Sequence, residues 1–149
     1  MDEKTAHKKY NVILKSIIKK VGNKTTYLGQ LDKVCKKMFG VKFHGVYPSD
    51  RIPKLTDKTP YCILNLDKSH EPGSHWVSLA KIGKHSIIYD SFGRHHTEII
   101  PQLKYSGNGR VLDTDQDVEQ HITATNCGAR SIAWLKFLDK YGAVNALKI

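Results

Sequence analysis

The first periodic stretch of the chain is residues 5–21 (TAHKKYNVILKSIIKKV), where Tyr10, Ile13, Leu14, Ile17, Ile18 and Val21 form one apolar stripe and the lysines fall largely elsewhere. That spacing predicts an amphipathic helix, with Thr5 as its cap and Gly22-Asn23 as its stop. The stripe suits core packing, and the lysine-rich face leaves a partner or membrane surface open. Residues 23–60 lack a comparable period. Gly29, Gly40, Gly45, Pro48, Pro53 and Pro60 punctuate them, which predicts loops with a short strand near Phe43–Tyr47. Tyr61–Leu66 (YCILNL) is a compact apolar run and reads as a buried strand. After a turn over Lys68–Ser74, Trp76–Ile82 and Ser86–Asp90 flank Gly83-Lys84 and predict a β-hairpin. Thr97–Tyr105 reads as a short helix and Arg110–Asp113 as a short strand. From Cys127 onward, Ile132, Trp134, Leu135, Phe137 and Leu138 recur at helical spacing, with Lys136, Asp139 and Lys140 on the wetter side. Asn126 is the expected cap of this last helix and Gly142 its stop. The order helix, strands, helix predicts an α+β fold, one long helix packed on a mostly antiparallel sheet.

At 149 residues the chain fits one domain, with a basic helical region over 1–42 and a core over 43–149. A domain of this size buries roughly 68–70% of its unfolded surface, so its core needs no covalent staples. Cys35, Cys62 and Cys127 are odd in number, widely spaced and form no C-x-x-C pair. That argues against a disulfide framework and a zinc site, and for a reducing intracellular compartment. No apolar run reaches membrane-spanning length, and the N-terminus lacks the features of a signal peptide. The formal net charge is +10, and residues 1–42 carry eleven lysines against three acids, or +8. A basic half of this kind points to a polyanion such as DNA, or to a solvated helix face. The rest of the chain is close to neutral, so a substrate need not be acidic.

Candidate chemistry centres on Cys127. A cysteine in the first turn of a helix meets unpaired backbone N–H groups and the positive end of the dipole, which favour thiolate; alone it reads more readily as a small buried hydrophobe, and the residues upstream shift the balance. A nucleophile needs a base and a group that orients the base. His75 opens one strand of the predicted hairpin and Asp90 ends the other, nearly symmetric about a turn near 82–83, so they are expected to meet across the strand pair. Asp90 could otherwise simply initiate a turn. The other histidines weighed, His70, His85, His95, His96 and His121, lack an acid at a mirrored site and are expected to be structural or exposed. Gln120 lies seven residues before Cys127 and could supply a second hydrogen bond to an oxyanion, beside a backbone N–H at Cys127. Gln116 and then Asn126 are its rivals.

The segments G-S-H-W around His75, Y-D-S-F-G around Asp90, and a glutamine shortly before N-C-G and an apolar helix resemble the adenovirus-type processing proteases. These group with the ubiquitin-like-protein proteases. TTYLGQLDK (Thr25–Lys33) and FHGVYPSD (Phe43–Asp50) extend the resemblance, which covers about Thr25–Tyr141. It implies a papain-like fold with Cys127 as nucleophile, His75 as base, Asp90 as orienting acid and Gln120 as oxyanion donor. Trp76 and Gly128 would line the substrate cleft. The aspartate matches the ubiquitin-like-protein proteases, whereas adenovirus-type enzymes often use glutamate, and the chain is shorter than the usual adenovirus-type enzyme.

The function expected on this basis is a cysteine endopeptidase that cleaves viral capsid or core precursors at glycine-containing sites during virion maturation. It would act in the virion and host cell as a monomer, without a membrane, and need no metal or cofactor for the chemistry. By resemblance, DNA and an activating peptide are expected stimulators. Lys8, Lys9, Lys19 and Lys20 are the candidate DNA contacts, and Cys35, in a lysine-flanked segment, is the candidate for a disulfide to the peptide. Two other readings stand beside it: a hydrolase of ubiquitin-like modifiers using the same four residues, and a non-catalytic basic nucleic-acid-binding protein that keeps the fold only.

Overall fold

A computed structural model describes residues 1–22, 28–67, 75–115 and 126–149. Helix α1 spans Glu3–Val21, two residues earlier than the pattern predicts, because Asp2 rather than Thr5 is the cap. Asp2 Oδ1 accepts from the Thr5 N–H at 2.7 Å. Ala6, Tyr10, Leu14, Ile17 and Val21 are its buried face. Helix α2, Leu28–Phe39, replaces an expected loop. Its apolar face is narrow, with Leu31, Cys35 and Phe39 buried at i, i+4 and i+8 among lysines, and Gly29 lies within its first turn.

A 3₁₀ turn at Gly40–Lys42 leads into β1 (Phe43–Pro48), followed by β2 (Tyr61–Asn65), β3 (Trp76–Ile82) and β4 (His85–Tyr89). Helix α3 (His96–Ile99) and a 3₁₀ turn at Pro101–Tyr105 divide the predicted helix over 97–105. Proline at 101 lacks the N–H an α-helix would use and restricts Ile100 before it. Strand β5 (Arg110–Asp113), α4 (Cys127–Tyr141) and α5 (Ala143–Ala146) complete the described elements.

The sheet order is β1-β2-β3-β4-β5, and it is mixed rather than mostly antiparallel. The β2–β3 and β3–β4 pairs are antiparallel, whereas β1–β2 and β4–β5 are parallel. Tight hairpins reverse direction, but the longer connections 49–60 and 90–109 let β2 and β5 re-enter in parallel with their neighbours. Gly109 marks one close approach: at φ 73° a Cβ there would stand 2.0 Å from the Lys84 carbonyl oxygen, so the chain can enter β5 beside the hairpin turn only as glycine.

Both faces of the sheet are covered. Ile63, Ala80, Ile87 and Tyr89 join the helices in one cluster, and Cys62, Leu64, Val77, Leu79 and Ile88 pack with Leu55, Ile100 and Leu103 in the other. Burial on both faces explains why β2 reads as a continuous apolar run. Helix α4 lies between α1 and the sheet, so ten of its fifteen residues are buried. The N-terminal helices belong to the same core: the Tyr10 and Tyr89 hydroxyls are 2.8 Å apart, and Tyr89 stacks on Trp134.

Candidate active site

Two serines set the register of α4 against β3. Ser78 Oγ donates to the Ser131 carbonyl at 2.7 Å, and Ser131 Oγ donates to the Trp76 carbonyl at 3.0 Å. Both side chains are buried, where losing a hydrogen bond is costly. Ser131 lies one helical turn after Cys127, and Trp76 directly follows His75. The exchange therefore brings the start of α4 to the start of β3.

His75 precedes β3, and its carbonyl accepts from the Leu66 N–H at 3.0 Å, which extends the β2–β3 ladder by one step. In the hairpin Ile82 faces His85 and Ser78 faces Tyr89. The turn is Gly83-Lys84, with Gly83 at φ 60°, so the midpoint falls between them. Continued by one residue, this register sets Asp90 opposite Val77, and His75 is its diagonal neighbour rather than its direct partner. The side chains span the offset: His75 Nε2 and Asp90 Oδ1 are 2.6 Å apart.

Asp90 is held from several directions. Its Oδ2 accepts from Arg94 Nε at 2.8 Å and the Arg94 N–H at 3.3 Å, and its Oδ1 accepts from the Phe92 N–H at 3.2 Å. The Phe92 ring stacks on the His75 imidazole with centroids 4.5 Å apart and planes 17° apart. The Arg94 guanidinium lies 5.1 Å from the Phe92 centroid. The sequence reading missed Phe92 and Arg94, although both lie in the turn that opens with Asp90. The signal was an arginine four residues after a candidate catalytic aspartate.

Cys127 is the first residue of α4. The His75 side chain and the backbone N–H groups of Trp76 and Gly128 lie near enough to its sulfur to act on its ionisation. Since Nε2 faces Asp90, Nδ1 is the ring nitrogen left for the sulfur. Cys127, His75 and Asp90 are all buried, at 3%, 7% and 4% exposure. Asn126 holds the N-cap position without a side-chain cap, because its Oδ1 accepts from Arg130 Nε at 3.1 Å.

Burial opposes charge on all three groups, and their mutual bonds overcome it. For Cys127, burial alone would raise the thiol, but the His75 bond and charge and the two N–H groups bring it below its usual range. Burial would depress the His75 imidazole, but its bonds to Asp90 and Cys127 and their charges raise it. Asp90 is pulled down to about 2 against the effect of burial, by its bonds to His75 and Arg94 and by their charges. These directions favour a thiolate–imidazolium pair oriented by an ionised carboxylate.

The other expected residues are placed as follows. Gln120, Gln116, His70 and His121 lie outside the described residues. Trp76 is buried in the same cluster as Cys127, and its indole Nε1 has no partner among the described residues. Gly128 contributes its N–H to the sulfur. His85 is exposed, whereas His95 and His96 converge on Asp113. Lys8, Lys9, Lys19 and Lys20 are exposed on α1. Cys35 overturns its expected role: it is fully buried on the inner face of α2, and burial pushes its thiol far up, so it is no ready partner for a disulfide. Its lysine neighbours occupy the opposite face of the helix.

Compared with known proteins, the chain matches no protein-family model and no curated protein.

Proposed function

We propose that this protein is a cysteine endopeptidase of the adenovirus type, acting on viral capsid or core precursors. The observation that carries the reading is His75, buried between Cys127 and Asp90: its Nε2 lies 2.6 Å from Asp90 Oδ1, and its charge state is coupled to the Cys127 sulfur. The resemblance of the segments around these residues supplies the substrate class.

In the proposed reaction the Cys127 thiolate attacks a peptide carbonyl carbon, forming a C–S bond and an oxyanion. The Cys127 backbone N–H and the Gln120 side chain hold the oxyanion. The His75 imidazolium gives its proton to the leaving amine as the C–N bond breaks, which leaves a thioester. Neutral His75 then takes a proton from water as the water attacks the thioester; the carboxylic acid leaves, and Cys127 is again thiolate beside imidazolium. Asp90 keeps Nε2 occupied, so that Nδ1 serves the sulfur and the substrate. DNA is proposed as a stimulator, bound along α1 and confining enzyme and substrate to one polymer. The exposed Lys8, Lys9, Lys19 and Lys20 support this.

Co-expression with glycine-rich virion precursors, read by mass spectrometry, tests the proposal. The native protein should generate new termini, and Cys127→Ala and His75→Ala should generate none while keeping the native circular dichroism spectrum. Cleavage by either variant would refute the dyad. Cleavage of ubiquitin-like C-terminal reporters in place of precursors would move the activity to modifier processing.

A further inference from the structure

We propose that His95, His96 and Asp113 form a binding site for a divalent transition-metal ion of the Zn²⁺ class, separate from the Cys127 centre. His95 Nε2 lies 3.0 Å from Asp113 Oδ2, and His96 Nδ1 lies 2.7 Å from the same oxygen. The three candidate ligand atoms all lie within 4.8 Å of one another. A tetrahedral ion with bonds of about 2.0–2.2 Å needs ligand atoms roughly 3.4 Å apart. Both nitrogens must draw back from Oδ2, His96 Nδ1 further than His95 Nε2, by roughly half an ångström, to admit one.

Contacts one layer out already hold the donors in a metal-binding pose. Asp113 Oδ1 accepts from the His96 N–H at 2.8 Å, which fixes the carboxylate and turns Oδ2 toward the rings. His95 Nδ1 lies 2.7 Å from Thr97 Oγ1, which aims Nε2 at the shared point. His95 Nδ1 also accepts the Thr97 N–H at 3.3 Å. Binding therefore changes both tautomers: the His95 proton moves from Nε2 to Nδ1, giving up the Thr97 N–H for a bond to Thr97 Oγ1, and the His96 proton moves from Nδ1 to Nε2. Ligating histidines are commonly oriented in this way. The His95 and His96 ring centroids are 4.5 Å apart. Two imidazoles and one carboxylate favour Zn²⁺, Co²⁺ or Ni²⁺ over Mg²⁺ or Ca²⁺, and three protein ligands leave a position for water. Asp113 is nearly enclosed and His95 is 43% exposed at its side chain, so an ion would enter from the His95 side. The sequence hid the group because its donors are two adjacent residues and one on a distant strand, a spacing that matches no zinc motif. The site follows Arg94 directly, so an ion there would brace the turn that carries Asp90, Phe92 and Arg94.

The test is titration of the full-length Cys127→Ala protein with Co²⁺, followed by absorption, and with Zn²⁺, followed by calorimetry. The Cys127→Ala background removes the thiol beside His75, so the outcome does not depend on the protease reading. The expected result is saturable binding of one equivalent, with weak visible bands of nitrogen and oxygen coordination. Binding should be lost with His95→Ala and weakened about 10–100-fold by Thr97→Val. His95 caps α3 through the Thr97 N–H, so His95→Ala should lower the metal-free melting temperature modestly while leaving the circular dichroism spectrum native. Absence of saturable binding, or undiminished affinity in His95→Ala, would overturn the proposal.

Discussion

Asp90 shows how much of the arrangement around Cys127 depends on a residue one contact removed from the sulfur. Its charged hydrogen bond to Arg94 is partly solvent-screened, because the arginine side chain is 37% exposed, so it contributes about 1 kcal/mol. Asp90 is depressed to about 2, so its contribution to stability is fully present above the unfolded value of about 3.9 and is lost as pH falls toward 2. Arg94→Ala weakens that depression. Acid unfolding, followed by tryptophan fluorescence, should therefore begin at higher pH than in the native protein, and peptide turnover should fall, though less than in His75→Ala. An unchanged acid transition would mean that Arg94 does not hold the carboxylate. Cys127, His75 and Asp90 were legible in the sequence because helix-start and hairpin patterns place them. The supporting Phe92, Arg94, Ser78 and Ser131 were not. Two are turn residues, and the two serines occupy apolar positions of periodic segments, where a hydroxyl reads as an interruption until its partner is seen.

At the scale of elements, α2 is the largest departure from the pattern. Its three buried positions make a narrow stripe among lysines, and tertiary packing rather than sequence periodicity settles its state. Leu31 is fully buried on that stripe, so Leu31→Ala should destabilise the protein by about 2–5 kcal/mol, measured by urea unfolding. A loss below about 0.5 kcal/mol, the usual size of a surface substitution, would mean that α2 does not pack as described. The hairpin was predicted nearly in register because a glycine-lysine turn between apolar strands restricts pairing to few solutions. The parallel pairing of β1 and β5 was not, since a strand's own sequence carries little information about which way its partner runs.

For the whole molecule, charge is the feature read most directly from sequence. Residues 1–42 hold +8 of the formal +10, and Lys8, Lys9, Lys19 and Lys20 remain exposed in the fold. Eleven residues of helix separate Lys8 from Lys19 and Lys9 from Lys20, which sets each pair on one side of α1 about 16 Å apart. That geometry lets one helix follow several phosphates. Binding to duplex DNA should be independent of sequence, with a log–log salt slope of about −0.9 per phosphate contact. Replacing the four lysines with glutamine should flatten the slope in a fluorescence-anisotropy titration, and an unchanged slope would assign them to keeping one face of α1 hydrated. Among the described residues, no helix is long and apolar enough to cross a membrane.

If His75 makes Cys127 a thiolate, the pH dependence of Cys127 alkylation by iodoacetamide reports it. Cys127 is lowered by the His75 bond and charge against burial, so the half-maximal rate of the native protein should fall below the ordinary thiol pKa of about 8.5. In His75→Ala only burial and the two backbone N–H groups remain, and the profile should move upward in pH toward or beyond that value. Coincident profiles for the two proteins, with half-maximal reactivity near or above an ordinary thiol's, would contradict a thiolate–imidazolium pair at Cys127 and His75.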